Sequence, residues 1–205
     1  MINEESIIQL RELNLPELVD ILKDGSKQNT FTSITFDESM EMIIAHLYSE
    51  KISAKIERLI RIANFRDPTA DFTNLVYEDR KIDSKIVAEL ASLEFIKNHT
   101  NVICEGFTGN GKTFFSNALG KEACKKLLRT KYIRQTDLLL QVDIRSMKTD
   151  GYIKLLNQYT KYDLLILDEW LMGSLKKGDI EFMFELIERR YQNHSTVFCM
   201  IILRN

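Results

Sequence analysis

The feature that most constrains the fold is the run Gly106-Phe107-Thr108-Gly109-Asn110-Gly111-Lys112-Thr113, which has the spacing G-x-x-x-x-G-K-[ST]. It follows the apolar segment of NVICEG and opens an amphipathic segment. Such a loop works only where a strand passes into a helix. The glycines let the backbone wind tightly, so that successive N–H groups converge on a phosphate, and the helix N-terminus adds its partial positive charge. Lys112 is placed to reach the β- and γ-phosphates of ATP as a point charge, and the Thr113 hydroxyl is placed as a ligand for the Mg2+ ion that bridges them. All eight residues are candidate ATP contacts.

The loop demands an α/β layer fold with a parallel sheet, and the surrounding pattern agrees. Helices are expected from Ser84 to Lys97, from Lys112 to Leu128, after Thr136 and from Asp179 to Gln192. Between them lie strands at NVICEG, at Tyr132 to Arg134, at YDLLILD and at TVFCMIIL. The third strand ends in Asp168-Glu169, where a parallel sheet places its ligands. Asp168 is the candidate metal-side carboxylate. Glu169, the next residue along a strand, is expected to point to the opposite side and so to orient and deprotonate a water. Lys112 and Glu169 are therefore the candidate catalytic residues, and Thr113 and Asp168 the candidate Mg2+ ligands. A water-activating acid beside the metal-side acid suits hydrolysis rather than phosphoryl transfer by a small-molecule kinase.

The first third reads differently. A helical pattern from Ser6 to Leu22 is interrupted or restarted at Pro16 and broken by the polar DGSKQNT stretch. A long helix follows from Asp37 to Arg66, and Asp67-Pro68 ends it. The domain boundary is accordingly expected near Asp67, with a small all-helical domain over 1–66 and the ATPase sheet over 67–205. A net charge of -2 excludes a globally basic protein, so any polyanion-binding surface must be local. Lys51, Lys55, Arg58, Arg61 and Arg66 fall in one sector of the long helix at about 100° per residue. They are the candidate contacts to the phosphates of duplex DNA, although the solvated face of a packed helix reads the same way. No signal-peptide pattern opens the chain, and the longest apolar run, Val197 to Leu203, is too short to span a bilayer, so a cytoplasmic location is expected. Cys104, Cys124 and Cys199 read as reduced core residues far apart, and His46, His99 and His194 as isolated; no metal cage is expected from them.

With these motifs in place, the chain resembles the IstB-like ATPases, helpers of insertion-sequence transposition and relatives of the DnaC helicase loaders. The resemblance runs through LRELNLPEL, LASLEFI, LGKEACKKLLRTKYIRQTDLLL, YDLLILDE and FELIERRYQNHST. It implies an AAA+ ATPase preceded by a helical domain, forming nucleotide-dependent homo-oligomers that bind duplex DNA and engage a transposase. The alternatives are a loader acting on a replicative helicase and a non-catalytic ATP- and DNA-binding remnant. Two departures accompany it. Where the family carries a polar sensor residue, this sequence has Ile201, and the sequence stops at Asn205, before the last strand and lid that the resemblance implies. The strand bearing the phosphate loop is thus expected to lie beside the strand after Ser195 and to form an edge.

Overall fold

The structure, a computed structural model, describes residues 3–27, 34–75 and 83–202, with the side chains of 24–27 excepted. The chain forms two compact units, residues 1–55 and residues 56–205, so the division falls inside a helix rather than at Asp67.

In the first unit, α1 (Glu4–Glu12) is capped by Asn3, whose side chain accepts from the Ser6 N–H at 2.8 Å. It stops before Asn14, which adopts φ 56°, and α2 (Pro16–Lys27) restarts on a proline at its first position, where the missing N–H costs nothing. α3 (Phe36–Ala63) begins with a reciprocal capping box: the Thr35 N–H donates to Glu38 Oε2 at 2.8 Å, and the Glu38 N–H to Thr35 Oγ1 at 3.3 Å. Val19 and Ile43 are the unit's buried apolar side chains among the described residues.

The second unit opens with the last turns of α3, which end three residues sooner than the sequence suggests. Asn64 takes the left-handed conformation at φ 59° and closes the helix, so Arg66 is not on it. The chain then runs over the later helix α6, with Phe65 lying on Gly120, where an added Cβ would come within 2.4 Å of the ring. The expected helix from Ser84 to Lys97 is two helices, α4 (Ser84–Ser92) and α5 (Glu94–Lys97), broken by Leu93 at φ 64°. The remaining elements are β1 (Val102–Gly106), α6 (Lys112–Lys125), β2 (Thr130–Arg134), α7 (Gln135–Ser146), α8 (Gly151–Thr160), β3 (Leu164–Trp170), α9 (Lys177–Arg190) and β4 (Ser195–Ile201).

All strand pairs are parallel, in the order β1-β4-β3-β2, which puts β1 at the edge beside β4. Side-chain alternation on β3 divides the core. Leu164 and Ile166 face a cluster with Leu119 and Ala123 of α6, whereas Leu165 and Leu167 face one with Leu138, Leu155, Phe182 and Leu186 of α7, α8 and α9. These four strand residues are at most 1% exposed. Burial on both faces is worth about 1.5–3 kcal/mol per side chain and explains why the strand reads as a continuous apolar run. Cys104 and Cys199, distant in sequence, are register partners on β1 and β4. All three cysteines are free thiols, and burial pushes Cys124 up to about 11. Among the described residues no helix is long and apolar enough to cross a membrane.

Candidate nucleotide site

Strand order decides which side chains meet. β4 lies between β1 and β3, so the loop that leaves β1 and the acids that end β3 flank the end of β4. They converge, with Ile201 between them, on a cleft of about 540 Å3 that is also lined by Arg66, Asp67 and Pro68.

The loop has the form its sequence requires. Gly109 and Gly111 adopt φ 83° and 79°, where a side chain would be strained, and Gly111 caps α6 without a side chain in the way. Thr108, Gly109, Gly111, Lys112 and Thr113 line the cleft, while Gly106, Phe107 and Asn110 complete the turn, in which the Asn110 N–H donates to the Phe107 carbonyl at 3.2 Å. Lys112 Nζ donates to the carbonyls of Gly106 and Phe107, each at 2.7 Å. The ammonium is thus held against the loop where the loop lines the cleft.

Asp168 is 3% exposed and extensively hydrogen-bonded. Its Oδ2 accepts from Thr113 Oγ1 at 2.8 Å and from the Tyr132 hydroxyl at 2.7 Å, and its Oδ1 accepts from the Glu169 N–H at 2.8 Å. The two candidate metal ligands are therefore in direct contact. A hydroxyl and a carboxylate are hard oxygen donors of the kind Mg2+ selects, so the residues present fit that ion. Tyr132 was not apparent from the sequence, since only the β2–β3 register, with Tyr132 opposite Ile166, brings it to this side. Burial and the Asp168 carboxylate together hold its phenol well above the usual range.

Glu169 departs from the expected strand geometry. The β3–β4 register shifts between Leu167 and Trp170, and Glu169 adopts φ 56°, so the pleat is broken and its carboxylate lines the same cleft as Asp168 instead of pointing to the opposite side. There Glu169 Oε1 pairs with Arg66 Nη1 at 3.3 Å, and Oε2 lies 4.0 Å from Arg134 Nη1. Arg66, expected on the basic face of the long helix, is thus placed at the cleft. Lys51, Lys55, Arg58 and Arg61 are exposed on α3, as the stripe requires.

The model of the family described as IstB-like ATP binding protein matches residues 8–201. The insertion sequence IS1162 ATP-binding protein of Pseudomonas fluorescens is 30% identical over 199 residues, covering 96% of this chain and 85% of that protein. The IS5376 counterpart from Geobacillus stearothermophilus is 27% identical, with 88% and 72% covered. Among solved structures, AMPPCP-bound DnaA from Aquifex aeolicus superposes with a TM-score of 0.58 at 22% identity, over 69% of this chain and 44% of that one. The DnaC helicase loader gives 0.56 at 22% identity, over 67% and 80%. The chain therefore spans less than half of the DnaA structure, and these two likenesses establish the fold. A glycine-rich loop after β1, an acidic pair near the end of β3 and a family match over nearly the whole length together place the chain in the IstB-like ATP binding protein family.

Proposed function

We propose that the chain binds Mg-ATP in the cleft, hydrolyses it, and serves insertion-sequence transposition as a DNA-binding helper of a transposase, assembled as a nucleotide-dependent homo-oligomer. One observation carries the catalytic part: Lys112 and Thr113 at the start of α6, and Asp168 and Glu169 near the end of β3, line one cleft. Lys112 exchanges its carbonyl partners for the β- and γ-phosphates, and the amides at the start of α6 cradle the same groups. Thr113 and Asp168 would hold Mg2+, which when bound neutralises charge developing on the phosphate oxygens. Tyr132 keeps Asp168 oriented. Glu169, turned into the cleft by its left-handed backbone, accepts the proton of the attacking water.

The binding step is tested by Lys112→Ala. Removing the ammonium is expected to weaken ATP binding about 10- to 100-fold, in keeping with loss of a charge-assisted contact to phosphate. Equilibrium titration with a fluorescent ATP analogue measures it, and unchanged affinity would remove the loop lysine from the site.

The DNA part rests on the exposed basic residues of α3 and on the relatives' association with insertion sequences. Lys51→Glu/Lys55→Glu is expected to weaken binding of a random-sequence duplex and to flatten its dependence on salt, because fewer counterions are released per complex. Filter binding between about 50 and 200 mM salt reads both quantities. Identical slopes for parent and variant would return that helix face to the role of a solvated surface. A second reading, nucleotide binding without appreciable turnover, is favoured by Ile201: it lines the cleft where a hydrogen-bonding side chain would help to orient phosphate or water. A steady-state assay with saturating Mg-ATP separates the two readings.

A further inference from the structure

Arg66 sits on a turn that is anchored independently of its own side chain. Before it, Ala63 is fully buried and Phe65 covers Gly120. After it, Asp67 Oδ1 accepts from the Thr69 N–H at 2.8 Å and from Thr69 Oγ1 at 2.6 Å, and the Pro68 carbonyl accepts from Lys121 Nζ. From this platform the guanidinium reaches Glu169 Oε1 at 3.3 Å, and it lies beside Tyr132, whose hydroxyl donates to Asp168. One side chain therefore pairs with the carboxylate proposed to face the water and neighbours the phenol that holds the metal-side carboxylate.

The pair contributes little to the fold. Arg66 is 55% exposed at its side chain, and ion pairs that open to solvent contribute about 0–1 kcal/mol. Its effect falls instead on the direction of Glu169. The other nearby cation, Arg134, is 4.0 Å away and already donates to both oxygens of Asp137 at 2.8 Å. Arg66 is thus the principal partner of a carboxylate whose backbone is held in the left-handed region. With Oε1 engaged by the guanidinium, the carboxylate is fixed in the cleft and Oε2 is left to accept from water.

We infer that Arg66 is a positioning residue for hydrolysis, holding Glu169 in the orientation in which it takes the proton of the attacking water; this rests on the reading of Glu169 as the base. The role is separable from nucleotide binding and from stability. In single-turnover assays with radiolabelled ATP, Arg66→Ala is expected to slow hydrolysis about 10- to 100-fold, the scale of a misplaced catalytic group. ATP affinity, followed through Trp170 fluorescence, is expected to stay within about threefold, because binding groups are not displaced. Arg66→Lys should retain an intermediate rate, and added ethylguanidinium should restore part of the rate to the alanine variant. In a Glu169→Gln background, Arg66→Ala should cost nothing further. A crystal structure of nucleotide-free Arg66→Ala should show the Glu169 carboxylate turned away from its parental position, with the thermal midpoint unchanged. Turnover that is unchanged or raised in Arg66→Ala, while Glu169→Gln is inactive, overturns the positioning role alone. So does a loss carried wholly by affinity, or one that adds to the Glu169→Gln defect. Parental turnover in Glu169→Gln overturns both the base assignment and the inference built on it.

Discussion

Glu169→Gln is expected to lower ATP hydrolysis by about 10²- to 10⁴-fold, the range for a positioned general base, while ATP binding stays within a few-fold of the parent. The substitution is nearly isosteric. The amide oxygen still accepts from Arg66, so the contact at 3.3 Å can persist, whereas the affinity for a proton is gone. Thr113 and Asp168 keep their contact at 2.8 Å, and Lys112 is not adjacent to the change, so the groups proposed to hold Mg-ATP are undisturbed. The variant should therefore accumulate bound ATP. Parallel measurements of affinity and of single-turnover phosphate release decide the matter. Release at the parental rate would remove Glu169 from the mechanism, and a matching loss of affinity would show that it binds phosphate or metal instead.

Parts of this site were legible in the sequence for a physical reason: they are local. The loop from Gly106 to Thr113 carries its own backbone requirements, and Gly109 and Gly111 adopt the positive φ that makes glycine necessary there. Likewise β3 announces itself as an apolar run because both of its faces are buried, and its end marks the ligand edge of the sheet. Residues whose roles depend on register or on a single backbone torsion were not legible. Tyr132 joins Asp168 only because β2 pairs with β3 in one register. The direction of Glu169 follows from one left-handed residue where alternation gives the opposite side. Arg66 continues the helical spacing of Lys51, Lys55, Arg58 and Arg61, yet Asn64 ends α3 two residues before it and redirects it to the cleft. A single asparagine in the left-handed region thus moves a residue from a surface stripe to the cleft. The same limit hid the break at Leu93 and the neighbourhood of Cys104 and Cys199, both of which depend on tertiary packing rather than on spacing.

The end of the sheet away from the cleft is held by a buried arginine at the end of an amphipathic helix. Arg190, the last residue of α9, is 2% exposed, and no carboxylate forms a direct ion pair with it among the described residues. Its Nη1 donates to the carbonyls of Tyr159, Thr160 and Tyr162 at 2.9, 3.2 and 2.8 Å, its Nε to Thr196 Oγ1 at 3.0 Å, and its Nη2 to the Ser195 carbonyl. These acceptors are the end of α8, the connection into β3 and the start of β4. One guanidinium thereby satisfies carbonyls that a helix C-terminus leaves unpaired and ties three segments together. Burial draws it down to about 10, so it remains charged at neutral pH. Arg190→Met keeps much of the apolar volume but removes every donor, leaving buried acceptors without partners at about 1–3 kcal/mol each before any water enters. The expected net destabilisation is about 3–5 kcal/mol, comparable with breaking a buried polar cluster. Arg190→Lys, with three donors and no fork, should fall between the variant and the parent. Urea unfolding followed by Trp170 emission reports on this unit, because Trp170 packs against Phe198 with ring centroids 4.9 Å apart. A shift of less than about 1 kcal/mol in Arg190→Met would mean that these carbonyls are satisfied by water as readily as by the guanidinium, and that the clamp contributes only the ordinary value of one hydrogen bond.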